Sequence, residues 1–206
     1  MYGIENYLGF IMASIVLNLT PGADTLYILT RSIGEGWKSG IMSALGILVG
    51  IFLHIVAVSL GLSQVVAHSP VLFALIKYAG AAYLIYLGIK AYSTPLSVNT
   101  TVLASLPLAK IFRQGVITNV LNPKVILFFL ALLPQFVSSD VENSFIPFML
   151  LGLTFLTTST LWCLSLVLCA LPIGNLLRNN SKIGTLMNRI CGTVFMGLGL
   201  KIALEK

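Results

Sequence analysis

The sequence contains very few charged residues for its length. Of 206 residues, 9% are Asp, Glu, Lys or Arg and 57% are hydrophobic, whereas an average soluble domain has about 25% charged residues. A water-exposed surface needs roughly a quarter to a third charged side chains, and this chain cannot supply them. The composition therefore excludes a soluble globule and a disordered chain, and it predicts a polytopic integral membrane protein.

Cysteine and histidine are scarce as well, with three and two residues. All three cysteines fall in apolar stretches, and an odd, buried set indicates packing residues rather than a disulfide framework or a metal site. The sequence has no HExxH, GxSxG, Walker or CxxC motif. We therefore expect no enzyme activity, no metal and no cofactor. The net charge is +6, but its basic residues do not cluster on a soluble surface, so we expect no nucleic-acid partner.

Six apolar stretches are long enough to cross a bilayer. A helix needs about 20 residues to cross roughly 30 Å of hydrocarbon. Two of the stretches, the first and the fourth, are interrupted by proline, at Pro21 and Pro123. The six predicted spans are 7–29, 39–63, 70–92, 112–137, 145–171 and 184–204.

Short motifs recur in the same order in the two halves of the chain. The pairs are Asn18-Leu19-Thr20-Pro21 with Val120-Leu121-Asn122-Pro123, Leu45-Gly46 with Leu151-Gly152, and Leu87-Gly88 with Leu198-Gly199. Three crossings end on the far side of the membrane, so a repeated three-helix unit inserts in opposite orientations. The sequence thus predicts an all-α fold of six transmembrane helices. These form a 3+3 inverted repeat with broken first and fourth helices, with repeats at 1–92 and 112–206 and a linker at 93–111.

The distribution of basic residues predicts the orientation in the membrane. Lys and Arg are concentrated in the connectors after the first, third and fifth spans, and the other two connectors have none. Because basic connectors remain in the cytoplasm, both termini are expected outside. The basic residues in question are Arg31, Lys38, Lys90, Lys110, Arg113, Arg178 and Lys182.

The two prolines leave backbone groups without helical partners. Pro21 and Pro123 have no N–H, so the carbonyls of Leu17 and Asn119 each lose a hydrogen bond. Within a bilayer such groups must be satisfied by the protein. Corresponding interruptions in two halves of a transporter point to the substrate site. A plain proline kink is the alternative.

A capping residue type precedes each proline. Thr20 and Asn122 are N-cap types, and proline is favoured at the first helical position, so each pair predicts the start of a new half-helix. The exposed N–H groups and partial positive charge of such a start attract an anionic group.

Three ionisable residues lie at or near these breaks. Asp24 falls in the first turn of the new half-helix, and a charge near mid-membrane costs about 2.5–3.5 kcal/mol on insertion scales. A proton carrier or an ammonium ligand is one reading of Asp24, and an interfacial cap is the other. Lys124 lies at the positive end of its own half-helix and needs a counter-charge, from Asp24 or a substrate carboxylate, unless it reaches the interface. His54 is a candidate proton relay or a simple hydrogen-bond donor to a neighbouring helix.

Several of these motifs resemble those of the LysE/RhtB family of small bacterial amino-acid exporters. The match covers nearly the whole chain. One departure is that the family often has Pro-Gly-Pro with Asn where Ala23 and Asp24 stand here. The segments that carry the resemblance are Leu19-Thr20-Pro21-Gly22-Ala23-Asp24, Gly36-Trp37-Lys38-Ser39-Gly40, Tyr78-Ala79-Gly80-Ala81-Ala82-Tyr83 and Asn119-Val120-Leu121-Asn122-Pro123-Lys124.

The resemblance implies proton-driven export of amino acids or their derivatives, such as homoserine or threonine, across the bacterial inner membrane. The expected partners are a small amino-acid substrate, protons and the lipid bilayer. A GxxxG pattern at Gly46 and Gly50 serves helix contact within the monomer or in a homo-oligomer. A passive channel and an exporter of another small cation are the alternatives. The residues expected to bind substrate or couple it to protons are Thr20, Pro21, Gly22, Asp24, His54, Asn119, Asn122, Pro123 and Lys124.

Overall fold

A computed structural model of the chain describes residues 3–68, 70–93, 106–138, 141, 144–172 and 181–204. These residues form helices and their connections, with one isolated antiparallel bridge between Ile4 and Val137. The helices are α1 (Tyr7–Leu19), α2 (Ala23–Glu35), α3 (Trp37–His68), α4 (Pro70–Ser93), α5 (Leu108–Val120), α6 (Pro123–Leu127), α7 (Phe145–Leu168) and α8 (Ser181–Leu204).

Two helices are long and apolar enough to span a membrane alone, and two bent pairs qualify as broken spans. The continuous candidates are Trp37–Gly61 in α3 and the whole of α7. The axes of α1 and α2 differ by 50°, and those of α5 and the segment Pro123–Phe136 differ by 45°. The chain is therefore an all-helical, multi-pass membrane protein, and the predicted breaks in its first and fourth spans are confirmed. These two to four spans among the described residues are fewer than six, and the six-span inverted repeat stays a prediction.

The predicted linker at 93–111 lies partly outside the described residues, which omit 94–105. Helix α5 begins at Leu108, so the last residues assigned to the linker are helical. The division into two repeats stays a prediction.

The first break is built differently from the prediction. Thr20 ends α1, because its N–H and its hydroxyl both donate to the carbonyl of Val16, at 3.0 and 2.7 Å. A threonine hydroxyl bonded to the preceding turn is no longer available as an N-cap. Helix α2 starts after Gly22, whose backbone is extended and which makes no side-chain cap bond. The prediction that Thr20 caps the new half-helix is therefore wrong, and Pro21 lies between the two helices.

The second break follows the sequence prediction. Asn122 is the N-cap of α6, and its side chain accepts a hydrogen bond from the backbone N–H of Lys124 at 3.1 Å. Pro123 occupies the first helical turn, where its missing N–H leaves no helical bond unmade.

Beyond Leu127, α6 continues as a π-helical segment and then as a 3₁₀ turn. The π segment is Phe128–Leu132 and the 3₁₀ turn is Leu133–Phe136. Pro134 supplies no N–H to the carbonyl four residues earlier, so a regular α-helix cannot run through this point. Single π turns inside helices are frequent at functional sites.

Buried aromatic rings connect the π-helical segment with α7. The ring of Phe155 lies 4.8 Å from that of Phe128 and 5.2 Å from that of Phe129, centroid to centroid. On the α1 side, Phe10 contacts Phe136 at 5.2 Å. Offset and edge-on pairs of this kind add about 0.5–1.5 kcal/mol each beyond the buried area.

Glycines allow the helix backbones to approach closely. Helix α3 packs on α5 and α7, and α4 packs on α8. An added Cβ at Gly46 would lie 3.0 Å from the Cα of Gly115, and one at Gly50 would lie 2.7 Å from the Cβ of Asn119. The Gly46–Gly50 pattern therefore serves a helix contact within the monomer.

We expect Gly88→Ala to destabilise the protein. An added Cβ at Gly88 would lie 2.7 Å from the carbonyl oxygen of Gly192 on α8, and overpacking of this kind costs about 1–3 kcal/mol. The measurement is thermal unfolding of the purified protein in detergent. Gly197→Ala is the matched control, since no atom lies within 4 Å of its added Cβ. Equal unfolding temperatures for both variants would contradict the close α4–α8 packing.

Candidate functional site

The two broken helices meet at Asp24. Its Oδ2 accepts hydrogen bonds from Nδ2 of Asn119 at 2.9 Å and from Nδ2 of Asn122 at 3.0 Å. Asn119 lies in the last turn of α5 and Asn122 caps α6, so both amides belong to the second break. The carboxylate itself lies in the first turn of α2, where the helix dipole favours a negative charge.

Lys124 makes the reciprocal connection to the first break. Its Nζ donates to the carbonyls of Leu17 at 3.0 Å and of Thr20 at 2.9 Å. The Leu17 carbonyl is the one that Pro21 leaves without a helical partner, and an ammonium group is favoured at the C-terminus of α1. The ammonium of Lys124 thus has partial negative charge from two α1 carbonyls beside it, and its pairing with Asp24 or with a substrate carboxylate stays a prediction.

His54 of α3 contacts the second break. Its Nε2 lies 3.2 Å from the carbonyl oxygen of Asn119, which also accepts a hydrogen bond from the N–H of Asn122 at 2.9 Å. A carbonyl only accepts, so the hydrogen is on Nε2. The imidazole also stacks on Phe129, with centroids 6.2 Å apart. His54 therefore makes the expected bond to a neighbouring helix, and its role as a proton relay stays a prediction.

A small cavity lies beside Asp24, between the first break and α7. Its volume is about 30 Å³, which is room for about two water molecules and too little for an amino acid. The lining residues include Asp24 and Lys124, the polar Asn18, Ser159 and Trp162, and the apolar Leu17, Ile28, Ile47, Ile51, Val125, Phe155 and Leu166.

Two residues lining this cavity have buried polar atoms without a hydrogen-bond partner among the described residues. They are Oδ1 of Asp24, an acceptor, and Nε1 of Trp162, a donor. Leaving such a group unpaired costs about 1–3 kcal/mol, so each needs an explanation. Two residues that line the cavity thus carry an unsatisfied polar atom, an acceptor in Asp24 and a donor in Trp162.

The predicted site residues divide into three groups by position. Asp24 and Lys124 line the cavity. Thr20 and Gly22 contribute backbone, and a Cβ at Gly22 would lie 3.3 Å from Nζ of Lys124. The other five either create the breaks or hold the charged groups: Pro21, Pro123, His54, Asn119 and Asn122.

Sequence reasoning missed the polar wall of the cavity. Asn18 donates to Oγ1 of Thr158 at 3.2 Å and accepts from the hydroxyl of Ser159 at 3.0 Å, so it fastens the end of α1 to α7. Its position in the Asn-Leu-Thr-Pro motif was a usable signal. The sequence gives no such signal for Trp162, because a tryptophan in an apolar helix is indistinguishable from a packing residue.

The site is poorly suited to a metal ion. Over the described ranges, no three His, Cys, Asp or Glu side chains are close enough to share one. Asp24 is accompanied by amide N–H groups, which are donors and not metal ligands.

A helical, multi-pass chain with a charged, buried site between two broken helices has the general form of a membrane transport protein. The chain belongs to the LysE type translocator family, whose model matches residues 15–206. This confirms the resemblance found in the sequence, and it confirms that the protein is a transporter and not an enzyme.

Full-length relatives agree with the family match. An uncharacterized membrane protein of Vibrio cholerae serotype O1 is 33% identical over 205 residues, covering 98% of both chains. Leucine efflux proteins of Salmonella choleraesuis and Salmonella typhimurium are each 29% identical over 204 residues, covering 98% of this chain and 96% of theirs. No solved structure matches.

Proposed function

We propose that this protein exports amino acids with small aliphatic side chains across the bacterial inner membrane in exchange for protons. The observation that carries this proposal is the mostly aliphatic cavity lined by Asp24 and Trp162, each of which has a buried polar atom without a partner, a carboxylate oxygen and the indole N–H. The ammonium group of a zwitterionic amino acid can donate to the Asp24 oxygen, and its carboxylate can accept from the indole N–H of Trp162.

The cavity walls favour leucine over the polar amino acids homoserine and threonine. Leu17, Ile28, Ile47, Ile51 and Val125 contribute aliphatic surface, and burying a leucine-sized side chain there is worth roughly 1.5–3 kcal/mol. The relatives named for leucine efflux support the same choice. At about 30 Å³ the cavity is far smaller than the roughly 300 Å³ of ordinary ligand pockets, so binding requires the broken helices to move apart.

Asp24 is the coupling residue in this proposal. Its carboxylate binds either the substrate ammonium or a proton, never both. Protonation from outside releases the substrate, and loss of that proton to the cytoplasm restores the site. The substrate carboxylate accepts from the indole N–H of Trp162 and is further stabilised by the positive N-terminus of α2 and by Lys124. The ionisable side chains that act on Asp24 or lie beside it are Lys124, His54 and Cys163.

The inverted repeat supplies the two alternating conformations. Its support is that each proline break contacts a side chain from outside its own helix pair, Lys124 at the first break and His54 at the second. The contacts of α3 with α7 and of α4 with α8 also join helices that the repeat makes equivalent. Rocking of one half against the other would open the site to one side at a time.

Contacts at the two ends of the molecule support an orientation with the N-terminus outside. At one end, the N–H of Glu5 donates to Phe136 O at 2.9 Å, and that of Ser138 to Gly3 O at 2.8 Å. At the other end, the N–H of Leu106 donates to Glu35 at 3.1 Å, beside the basic connectors. The positive-inside rule assigns this second end to the cytoplasm.

We expect Asp24→Asn to abolish uphill export while substrate exchange persists. An asparagine has the same shape and its side-chain oxygen can accept the hydrogen bonds of Asn119 and Asn122, but it cannot bind and release a proton. Transport would then no longer be coupled to the proton gradient. The measurement is transport of labelled leucine in proteoliposomes, first with an imposed pH gradient and then as counterflow without one. Glu5→Gln is the control, because it makes the same chemical change at an exposed position.

Two outcomes of that assay would contradict the proposal. Wild-type rates of gradient-driven export by Asp24→Asn would remove Asp24 from the mechanism. Wild-type transport that does not saturate, shows no counterflow and is insensitive to an uncoupler would identify a passive channel instead of a carrier.

We also expect single cysteines at Lys38 and Ser138 to label from opposite sides. The two positions follow α2 and α6, which end on opposite faces in an inverted repeat. With Cys163, Cys169 and Cys191 replaced by serine, an impermeant maleimide should reach position 138 in intact cells and position 38 only after permeabilisation. Labelling of both positions from one side would exclude the antiparallel arrangement.

A further inference from the structure

A second polar cluster lies between α2 and α5, at the end of α2 remote from the cavity. The guanidinium of Arg31 donates through Nη1 to the carboxylate of Glu35 and through Nη2 to Oε1 of Gln114 at 3.2 Å. Its Cζ lies 5.7 Å from the ring centroid of Tyr27. The side chains of Arg31 and Glu35 are only 12% and 4% exposed, so this ion pair is largely removed from water.

The partners of Arg31 have further anchors of their own. The hydroxyl of Tyr27 donates to Ile111 O at 2.8 Å, and the second carboxylate oxygen of Glu35 accepts from the N–H of Leu106 at 3.1 Å. Glu35 therefore keeps a hydrogen bond when its contact with Arg31 is broken. Tyr27 and Gln114 remain in place to orient the guanidinium.

Arg31 and Asp24 lie on the same face of α2. Asp24, Ile28, Arg31 and Glu35 follow one another at intervals of four, three and four residues, the spacing of a single helical stripe. Seven residues separate Asp24 from Arg31, which corresponds to about 10 Å along the helix. Asp24 and Arg31 have separate partners, the amides of Asn119 and Asn122 for the first and Glu35 and Gln114 for the second. We therefore treat them as two positions that a substrate occupies in succession.

On the basis of the proposed function, we propose that Arg31 is a second substrate-binding residue, which receives the carboxylate of an amino acid on the cytoplasmic side before its ammonium reaches Asp24. Glu35 holds the guanidinium until the substrate carboxylate displaces it. Tyr27 and Gln114 are positioning residues for the guanidinium.

The geometry of the guanidinium supports exchange of one carboxylate for another. Its two terminal nitrogens bond two different side chains, Glu35 and Gln114. An incoming carboxylate can bond both nitrogens in parallel, which is the stronger, bidentate arrangement. A buried ion pair is also poor support for a purely stabilising role, since apolar residues of similar size usually serve stability as well.

The test compares Arg31→Gln, Glu35→Gln and the double variant in inside-out vesicles, with KM for labelled leucine as the readout. Loss of the charged hydrogen bonds should raise the KM of Arg31→Gln roughly tenfold or more. Glu35→Gln should lower KM several-fold, because it removes the competing carboxylate. The double variant should keep the raised KM. The KM of Arg31→Lys should fall between those of wild type and Arg31→Gln. Lysine retains the positive charge but lacks the two parallel N–H donors of the guanidinium.

A structural role for the ion pair predicts a different pattern, with both single variants impaired and the double variant restored. That pattern, or an unchanged KM in Arg31→Gln, would overturn the inference. Arg113→Gln is the control, since Arg113 is exposed and adjacent to Gln114. Thermal unfolding of every variant identifies any loss of folding. If wild type exports leucine and Arg31→Gln is normal, only this inference fails; if wild type exports no amino acid, the proposed function fails and this inference with it.

Discussion

The structure depends on the mutual capping of two broken helices inside a membrane protein. Pro21 leaves the Leu17 carbonyl without its helical partner, and hydrocarbon offers no water to satisfy it. Lys124 of the second break donates to that carbonyl. The amides of Asn119 and Asn122 in the second break in turn donate to Asp24 of the first. Each break therefore supplies hydrogen-bond partners to the other, whereas the Asn119 carbonyl accepts from the N–H of Asn122 in its own break and contacts His54 of α3.

This arrangement explains how charged residues are tolerated in the buried interior of a membrane protein. Asp24 lies at the start of α2 and the ammonium of Lys124 at the end of α1, so each is near the helix terminus of opposite partial charge. One carboxylate oxygen remains unpaired beside the cavity. Because the same hydrogen bonds hold the two breaks together and lie beside the cavity, a ligand that competes for them would also loosen the contact between the broken helices. Binding and opening would then be linked by shared groups.

Much of this site could be predicted from the sequence, because proline chemistry is local. The two breaks, the carbonyls they expose and the positions of Asp24 and Lys124 follow from a few adjacent residues. The capping of α2 was predicted wrongly. The Thr20 hydroxyl could bond either the following or the preceding turn, and it donates to the Val16 carbonyl of the preceding turn. The partners of Lys124, the wall formed by Asn18 and Trp162, and the cluster at Arg31 depend on helix packing. Side chains 80 to 140 residues apart meet there, and no periodicity within one helix reports such contacts.

The most direct measurement is a double-mutant cycle between Pro21→Ala and Lys124→Met, with the free energy of unfolding as the readout. Lys124→Met alone should cost about 1–3 kcal/mol, because a buried carbonyl loses its donor. Alanine at position 21 restores the N–H that the Leu17 carbonyl lacks, so the cost of Lys124→Met in that background should fall by about 1 kcal/mol or more. If the losses in unfolding free energy of the two single variants simply add in the double variant, Lys124 does not stabilise the first break. That result would contradict mutual capping.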